Sequence, residues 1–250
     1  MQMTRVEWDY SERAAFYDKR ANYSERALDD VLGKMALARA ATVADIGAGT
    51  GKLSRPLAQR GYRVLSVEPN DAMRSFGIGN TRGLQVQWSV GTGERTGLGD
   101  KAVAAAFFGS SFNVVDQQAA LAESARILAP GGWFCCMWNH RNLDDPVQSR
   151  IEQIIKRAIP QYDYGKRRED PTEAIEKSRR FGAVHRVEDT FAVDMPLEDV
   201  IEAWKSHATL ARQAGERMGT IIGEIRAALP PGKAVRVPYT TRIWFAQLSK

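Results

Sequence analysis

The chemistry this chain could do is concentrated in a carboxylate, a run of glycines and a second carboxylate. Asp45 precedes Gly47-Ala48-Gly49-Thr50-Gly51, and Glu68 closes the next apolar run. Glycines at the end of a strand let a ligand approach the backbone more closely than a Cβ permits, and they accept the positive φ of a tight turn. Glu68 lies near the offset of roughly 20 residues at which a carboxylate meets a ribose diol. The spacing is G-x-G-x-G rather than the dinucleotide pattern G-x-G-x-x-G, and Lys52 stands where that pattern places its third glycine. A carboxylate just ahead of the loop repels phosphate and attracts an ammonium or sulfonium group. The loop therefore favours a cationic amino-acid nucleoside over a pyrophosphate, with NAD as the runner-up.

Three histidines are available for proton transfer. His140, in Trp138-Asn139-His140-Arg141, follows an apolar run at the edge where α/β sheets bind ligands, so it reads either as a base or as a loop cap. His207, in Trp204-Lys205-Ser206-His207, lies between two helical stretches and reads either as pocket lining or as an N-cap. His185 starts a late strand and reads as structural.

Elements must position these groups. Segments 43–46, 62–67, 84–88, 102–108 and 132–138 are short, β-branched or aromatic, and bounded by Gly, Asn or Asp, which predicts five parallel strands. Helices are predicted over 52–60, 71–76 and 117–128, the last with Leu121, Ala125 and Leu128 on one face, ended by Pro130-Gly131-Gly132. Residues 10–40 are helical in character, with Tyr10, Tyr17 and Tyr23 at near-helical spacing. Beyond Trp138 a helical region follows, with one helix marked by Ile151, Ile154, Ile155 and Ala158 and a second running from Leu210 to Leu229. Stretches 184–193 and 235–245 have the alternation of an antiparallel edge pair. The expected organisation is an N-terminal helical lid over 1–40, a core over 41–138, a helical cap over 139–235 containing the late strand 184–193, and a closing strand over 236–250.

A chain of 250 residues with 44% hydrophobic and 26% charged residues is globular rather than disordered or fibrous. Its length suits one elaborated domain. Adjacent Cys135 and Cys136 point to opposite faces of a strand, so they form no disulfide framework or metal knuckle, and a reducing cytoplasm is expected. The start of the chain has no signal-like apolar region and no run is long enough to span a membrane. The net charge of +5 is a weak attraction for anions. Lys166-Arg167-Arg168 is followed by Glu169-Asp170 and reads as a self-compensated solvated loop.

Asp45-Ile46-Gly47-Ala48-Gly49-Thr50-Gly51, followed by Val64-Leu65-Ser66-Val67-Glu68-Pro69-Asn70, resembles the class I S-adenosylmethionine-dependent methyltransferases, in the small-molecule branch. Val90-Gly91-Thr92-Gly93-Glu94 with Leu98, Phe107-Phe108-Gly109-Ser110-Ser111-Phe112, and Arg126-Ile127-Leu128-Ala129-Pro130-Gly131-Gly132 extend the likeness over 43–138. The resemblance implies an α/β, Rossmann-like, seven-stranded, mostly parallel sheet with flanking helices and an antiparallel last strand.

The same resemblance implies S-adenosylmethionine as cofactor. Gly47, Ala48, Gly49 and Thr50 would line its methionine and ribose, and Glu68 would bind both ribose hydroxyls. Pro69, Asn70 and Met73 would flank the adenine, and Gly93 and Glu94 would lie at its edge. Glu94 reads equally as a helix-start carboxylate. Asp45 would favour the ammonium through a water, Gly109 and Ser110 would stand beside the cofactor, and Tyr17 and Arg20 would cover it. Arg20 reads equally as a solvent-facing residue. Phe112, Asn113, Trp138 and Tyr239 are the acceptor-side candidates, although Asn113 also suits a turn and Tyr239 an edge strand, as does Arg242. The family's usual Asp before the fourth strand is replaced here by Lys101-Ala102.

The expected activity is methyl transfer by in-line displacement to an O, N or C atom of a small molecule. The alternatives are an RNA methyltransferase, an NAD-dependent oxidoreductase and a non-catalytic cofactor-binding protein. No basic stripe with interleaved aromatics speaks for nucleic acid. Neither the acceptor's identity nor the oligomeric state is legible in the residues.

Overall fold

A computed structural model describes residues 14–249, so Tyr10 and the rest of the first 13 residues of the expected lid lie outside the described residues. Seven strands form one sheet in the order β3-β2-β1-β4-β5-β7-β6. They are β1 (Thr42–Ile46), β2 (Arg63–Val67), β3 (Val86–Ser89), β4 (Val103–Gly109), β5 (Leu128–Arg141), β6 (Phe181–Pro196) and β7 (Ala234–Leu248). The first five run parallel, whereas β7 is antiparallel to both β5 and β6. The sheet is therefore the Rossmann-like one expected, and its late strands form the antiparallel edge pair.

Strand alternation puts consecutive residues on opposite faces. Ala44, Ala106, Phe108, Phe134, Cys136 and Trp138 enter one buried layer, beneath α5 (Gln117–Ile127) and α7 (Thr172–Lys177). Val43, Ala105, Phe107, Cys135 and Met137 enter the other, beneath α2 (Glu25–Met35) and α3 (Ser54–Gln59). The two cysteines are thus buried on opposite faces with free thiols.

Several boundaries differ from the expectation for local reasons. The N-terminal region is two helices, α1 (Ala14–Tyr17) and α2, the second opened by Ser24, whose hydroxyl accepts from the Ala27 amide. The helix after β2, α4 (Asp71–Asn80), runs one turn beyond its expected end. Helix α5 stops at Ile127, because Leu128 turns extended and pairs with Val103.

The single long helix expected from Leu210 to Leu229 is broken. Helices α9 (Ala208–Ala214) and α10 (Met218–Ala228) are separated at Gly215, whose φ of +55° a helix cannot hold. The apolar stripe nevertheless stays in phase. Leu210, Ala214, Ile221 and Ile225 pack with Ile151 and Ile155 of α6 (Pro146–Ala158) and with Val200 and Trp204 of α8 (Leu197–Lys205), in a third buried cluster against β6 and β7.

Among the described residues no helix is long and apolar enough to cross a membrane.

Candidate active site

The loop after β1 is shaped by its glycines. Gly47 and Gly49 hold φ of +66° and +57°, and a Cβ on Gly47 would come within 2.5 Å of the Ser111 Cβ. The amides of Gly47 and Ala48 both donate to the Val67 carbonyl (2.8 and 3.0 Å), which fastens the start of the loop to the end of β2. Glu68 completes the tie. One carboxylate oxygen accepts from the Gly49 amide at 2.8 Å and the other from the Asn70 amide at 2.9 Å. Burial raises its pKa, and those two amides work against the rise. A carboxylate oxygen has lone pairs beyond one amide, so Glu68 retains acceptor capacity for a diol.

Around this tie, Asn70 caps α4 by accepting from the Met73 amide at 3.0 Å. Pro69 is half-buried in the turn between β2 and α4. Met73 and Tyr17 stand over Gly49, at 3.2 and 3.9 Å from where its Cβ would be.

Asp45 is wholly buried beneath the loop and accepts from the Ser54 hydroxyl at 2.6 Å, while Ser54 also meets the Ser66 hydroxyl at 2.8 Å. Burial pushes its pKa up to about 7, against the pull of Ser54. Its second oxygen and the buried Thr50 hydroxyl have no protein hydrogen-bond partner. Lys52 points into the cleft, reaches the Asn22 side chain at 3.2 Å, and is brought down to about 8, chiefly by burial.

The cleft itself is walled by the N-terminal segment, the end of β5, α6 and α8. Of the residues singled out in the sequence, Tyr17, Arg20, Ser110, His140, His207 and Tyr239 line it. Ser110, at φ +60°, meets the Tyr23 hydroxyl at 2.9 Å, and Gly109 leaves room for that hydroxyl 3.0 Å from where a Cβ would lie. His140 is buried on β5 opposite Thr240 of β7.

His207 caps α9, with Nδ1 accepting from the Leu210 amide at 3.2 Å and the ring stacked on Trp204. An Nδ1 that accepts leaves the proton of the neutral ring on Nε2. Both readings of His207, cap and pocket lining, are thus realised together.

Three of the acceptor-side candidates lie outside the cleft. Phe112 is fully buried and packs edge-on against Phe108 and Phe134 at centroid distances of 5.4 and 5.1 Å, in the layer beneath α5. Trp138 lies in the same layer, 1% exposed, because its strand position alternates away from that of Asn139. Asn113 is spent on Trp138, accepting from the indole nitrogen at 2.8 Å.

Glu94 accepts from the backbone amide of Asp116, the N-cap of α5, at 2.8 Å. Gly93 lies against Val115 and Phe108. Arg20 lines the cleft, and its guanidinium donates to the Ser206 hydroxyl (2.9 Å) and carbonyl (2.7 Å) and covers the Tyr17 ring. His185 stacks near Phe245, and Arg242 pairs with Glu188 across β6 and β7, both as strand residues.

Sequence reasoning missed much of the cleft wall. Arg141, Gln148, Glu152, Tyr164 and Trp204 all line the cleft. The basic run 166–168 was expected to compensate itself with Glu169-Asp170. Instead Arg168 lies over the Tyr164 ring in the cleft wall, and Asp170 accepts from the Thr172 amide at the start of α7. Only the alternation after Trp138 and the helical period of α6 carried any signal of this wall.

The fold and the loop define a Rossmann-like domain. Residues 44–136 match the family model described as a methyltransferase domain. It is 35% identical over 128 residues to an uncharacterized methyltransferase of Mycobacterium tuberculosis, covering 51% of this chain and 50% of that protein. It is 30% identical over 155 residues to the ubiquinone/menaquinone biosynthesis C-methyltransferase UbiE of Caulobacter vibrioides, covering 56% and 61%. The chain spans about half the length of the first of these curated relatives.

Among solved structures, it resembles a protein assigned as a type II methyltransferase from Anaeromyxobacter dehalogenans, with a TM-score of 0.63, 23% identity, and coverage of 91% and 97%. It also resembles the geranyl diphosphate C-methyltransferase of Streptomyces coelicolor, in complex with Mg2+, geranyl diphosphate and S-adenosylhomocysteine, with a TM-score of 0.52, 18% identity, and coverage of 98% and 100%. At these identities the likeness to solved structures is one of fold.

Proposed function

We propose that this protein transfers a methyl group from S-adenosylmethionine to a small molecule held in the cleft beside the glycine loop. The observation that carries the reading is the tie between Gly49 and Glu68, which sets a carboxylate with remaining acceptor capacity against a turn that no Cβ could enter. The residues present fit the cofactor. Glu68 would take the ribose diol, Gly47 to Thr50 the methionine side, and Pro69, Asn70 and Met73 the adenine. Asp45, with one oxygen lacking a protein partner, would favour the ammonium. Lys52 is placed to meet a carboxylate at the open end of the loop.

The cofactor, when bound, supplies a methyl activated by its sulfonium. The protein's own part is to align the acceptor and exclude water, and positioning supplies most of the acceleration in such a displacement. Helix α1 and the helices of the cap would do the excluding. For an acceptor that must lose a proton, His140 is the base, since Nδ1 of His207 is committed to the helix cap. The role of His207 is then donation from Nε2 to a bound oxygen. A carboxylate acceptor would need no base.

The test is binding of S-adenosylmethionine, S-adenosylhomocysteine and NAD by calorimetry, with Glu68→Gln beside the wild type. We expect both sulfur nucleosides to bind and NAD not to, and the substitution to weaken binding by about 1 to 3 kcal/mol. Binding of NAD alone, or wild-type affinity in Glu68→Gln, would remove the assignment. Glu68→Ala is the poorer probe, because it also leaves the Gly49 and Asn70 amides without their acceptor.

A further inference from the structure

The acceptor end of the cleft contains a guanidinium with no anion of its own. Arg141 leaves the end of β5 with its guanidinium 3.9 Å from the Trp204 ring centroid and 5.9 Å from that of Tyr239. Aromatic rings cover a guanidinium's faces and leave its N–H edge for in-plane partners. The Arg141 Nε is buried and has no hydrogen-bond partner, and none of the described carboxylates pairs with the group. Burial is the largest influence on its pKa and lowers it, opposed by the charge interaction and the side-chain hydrogen bond with Tyr239, which takes part of its N–H edge, and reinforced by the like charge of Arg20.

The surrounding wall points the same way. Arg20, Lys52 and Arg168 line the same cleft, and Glu152, the carboxylate in its lining, accepts from the Tyr164 hydroxyl with one oxygen and is ion-paired with Lys156 at 3.1 Å through the other, which has no hydrogen bond. A second, independent observation lies on α6. Gln148 is 2% exposed in the cleft wall, and neither its amide nitrogen nor its amide oxygen has a partner. The Trp204 indole nitrogen, in the same wall, is also buried without one. Buried donors left unmatched by protein are costly, and an oxyanion is the group that satisfies several at once.

We propose that Arg141, with Gln148 and Trp204, forms an oxyanion site that fixes the acceptor, so that the small molecule methylated carries a carboxylate or phosphate group on an apolar body. The remaining N–H groups of Arg141 take two oxygens, Gln148 supplies a further donor, and Trp204 and Tyr239 contact the body of the molecule. This deepens the methyl-transfer reading and rests on it for the word acceptor, whereas the anion site itself can be tested separately.

The experiment is ligand-observed NMR titration of the full chain, saturated with S-adenosylhomocysteine, with phenylacetate, phenyl phosphate and methyl phenylacetate. One or both anions should bind at least tenfold more tightly than the ester, and which of them binds distinguishes carboxylate from phosphate. Arg141→Gln should lose that preference, and Arg141→Lys, which keeps the charge without the fork, should fall between. Both variants should retain wild-type affinity for S-adenosylhomocysteine, which shows that they are folded. An ester that binds as well as the acids, failure of both anions to bind, or unchanged preference in both variants would overturn the proposal. If S-adenosylhomocysteine does not bind at all, the methyl-transfer reading fails, and the same titration without it still decides the anion site.

Discussion

Asp45 has two roles that the pH dependence of stability can separate. Its pKa in the fold is pushed up to about 7 from an ordinary value of 3.8, mainly by burial. The unfolded chain therefore gives up this proton at lower pH than the folded one. Stability from this group is fully present below the unfolded value and is lost as pH rises towards 7. At about 1.4 kcal/mol per pK unit, the loss is on the order of 4 kcal/mol by pH 8. Asp45→Asn keeps the shape and removes the charge. Denaturant unfolding from pH 5 to pH 8 should show a falling stability in the wild type and a flatter profile in the variant, and parallel profiles would exclude a neutral buried Asp45. The group's charge is thus held back by the fold, a state that a cationic ligand above the loop would reverse.

Among the elements, the turn after α1 is fastened to the far side of the cleft by Arg20, beside an ion pair between Lys19 and Asp199 of α8 at 3.2 Å. Arg20 donates twice to Ser206, at the junction of α8 and α9, and covers Tyr17. Asn139 on β5 fastens the following turn by donating to the Asn22 carbonyl at 2.8 Å and accepting from Thr241 of β7 at 2.5 Å. Arg20→Ala removes the first attachment and leaves the others. Hydrogen exchange of amides over 14–20 and 206–210 should then quicken by roughly tenfold or more, while β1 to β5 exchange as before. Equal exchange in both proteins would show that the helices hold together without it. The break at Gly215 belongs to this scale too. The apolar period from Leu210 to Leu229 reads as one helix because Ala214 and Ile221 remain in phase across a kink that only the glycine's φ reveals.

Over the whole molecule, the cleft joins segments that the chain keeps far apart, from Tyr17 to Tyr239, above a core that is indifferent to ligand. Phe112 belongs to that core. Phe112→Ala should cost about 3 to 5 kcal/mol of folding stability, with S-adenosylhomocysteine affinity unchanged in the folded protein. A lost affinity at unchanged stability would return Phe112 to the acceptor wall.

Strand positions, the glycine loop and the offset of Glu68 were legible in the residues, because each depends on local geometry: a period of two, a turn that excludes Cβ, and one crossover between neighbouring strands. The cleft wall was not. Whether Trp138 or Arg141 faces the cleft depends on which layer each side of β5 meets. Whether Arg20 has a partner depends on Ser206, 186 residues away. The amino-acid sequence by itself thus determined the sheet and the glycine loop, while only the tertiary structure decided the lining of the cleft, because its charged groups acquire their surroundings from neighbours brought close by folding.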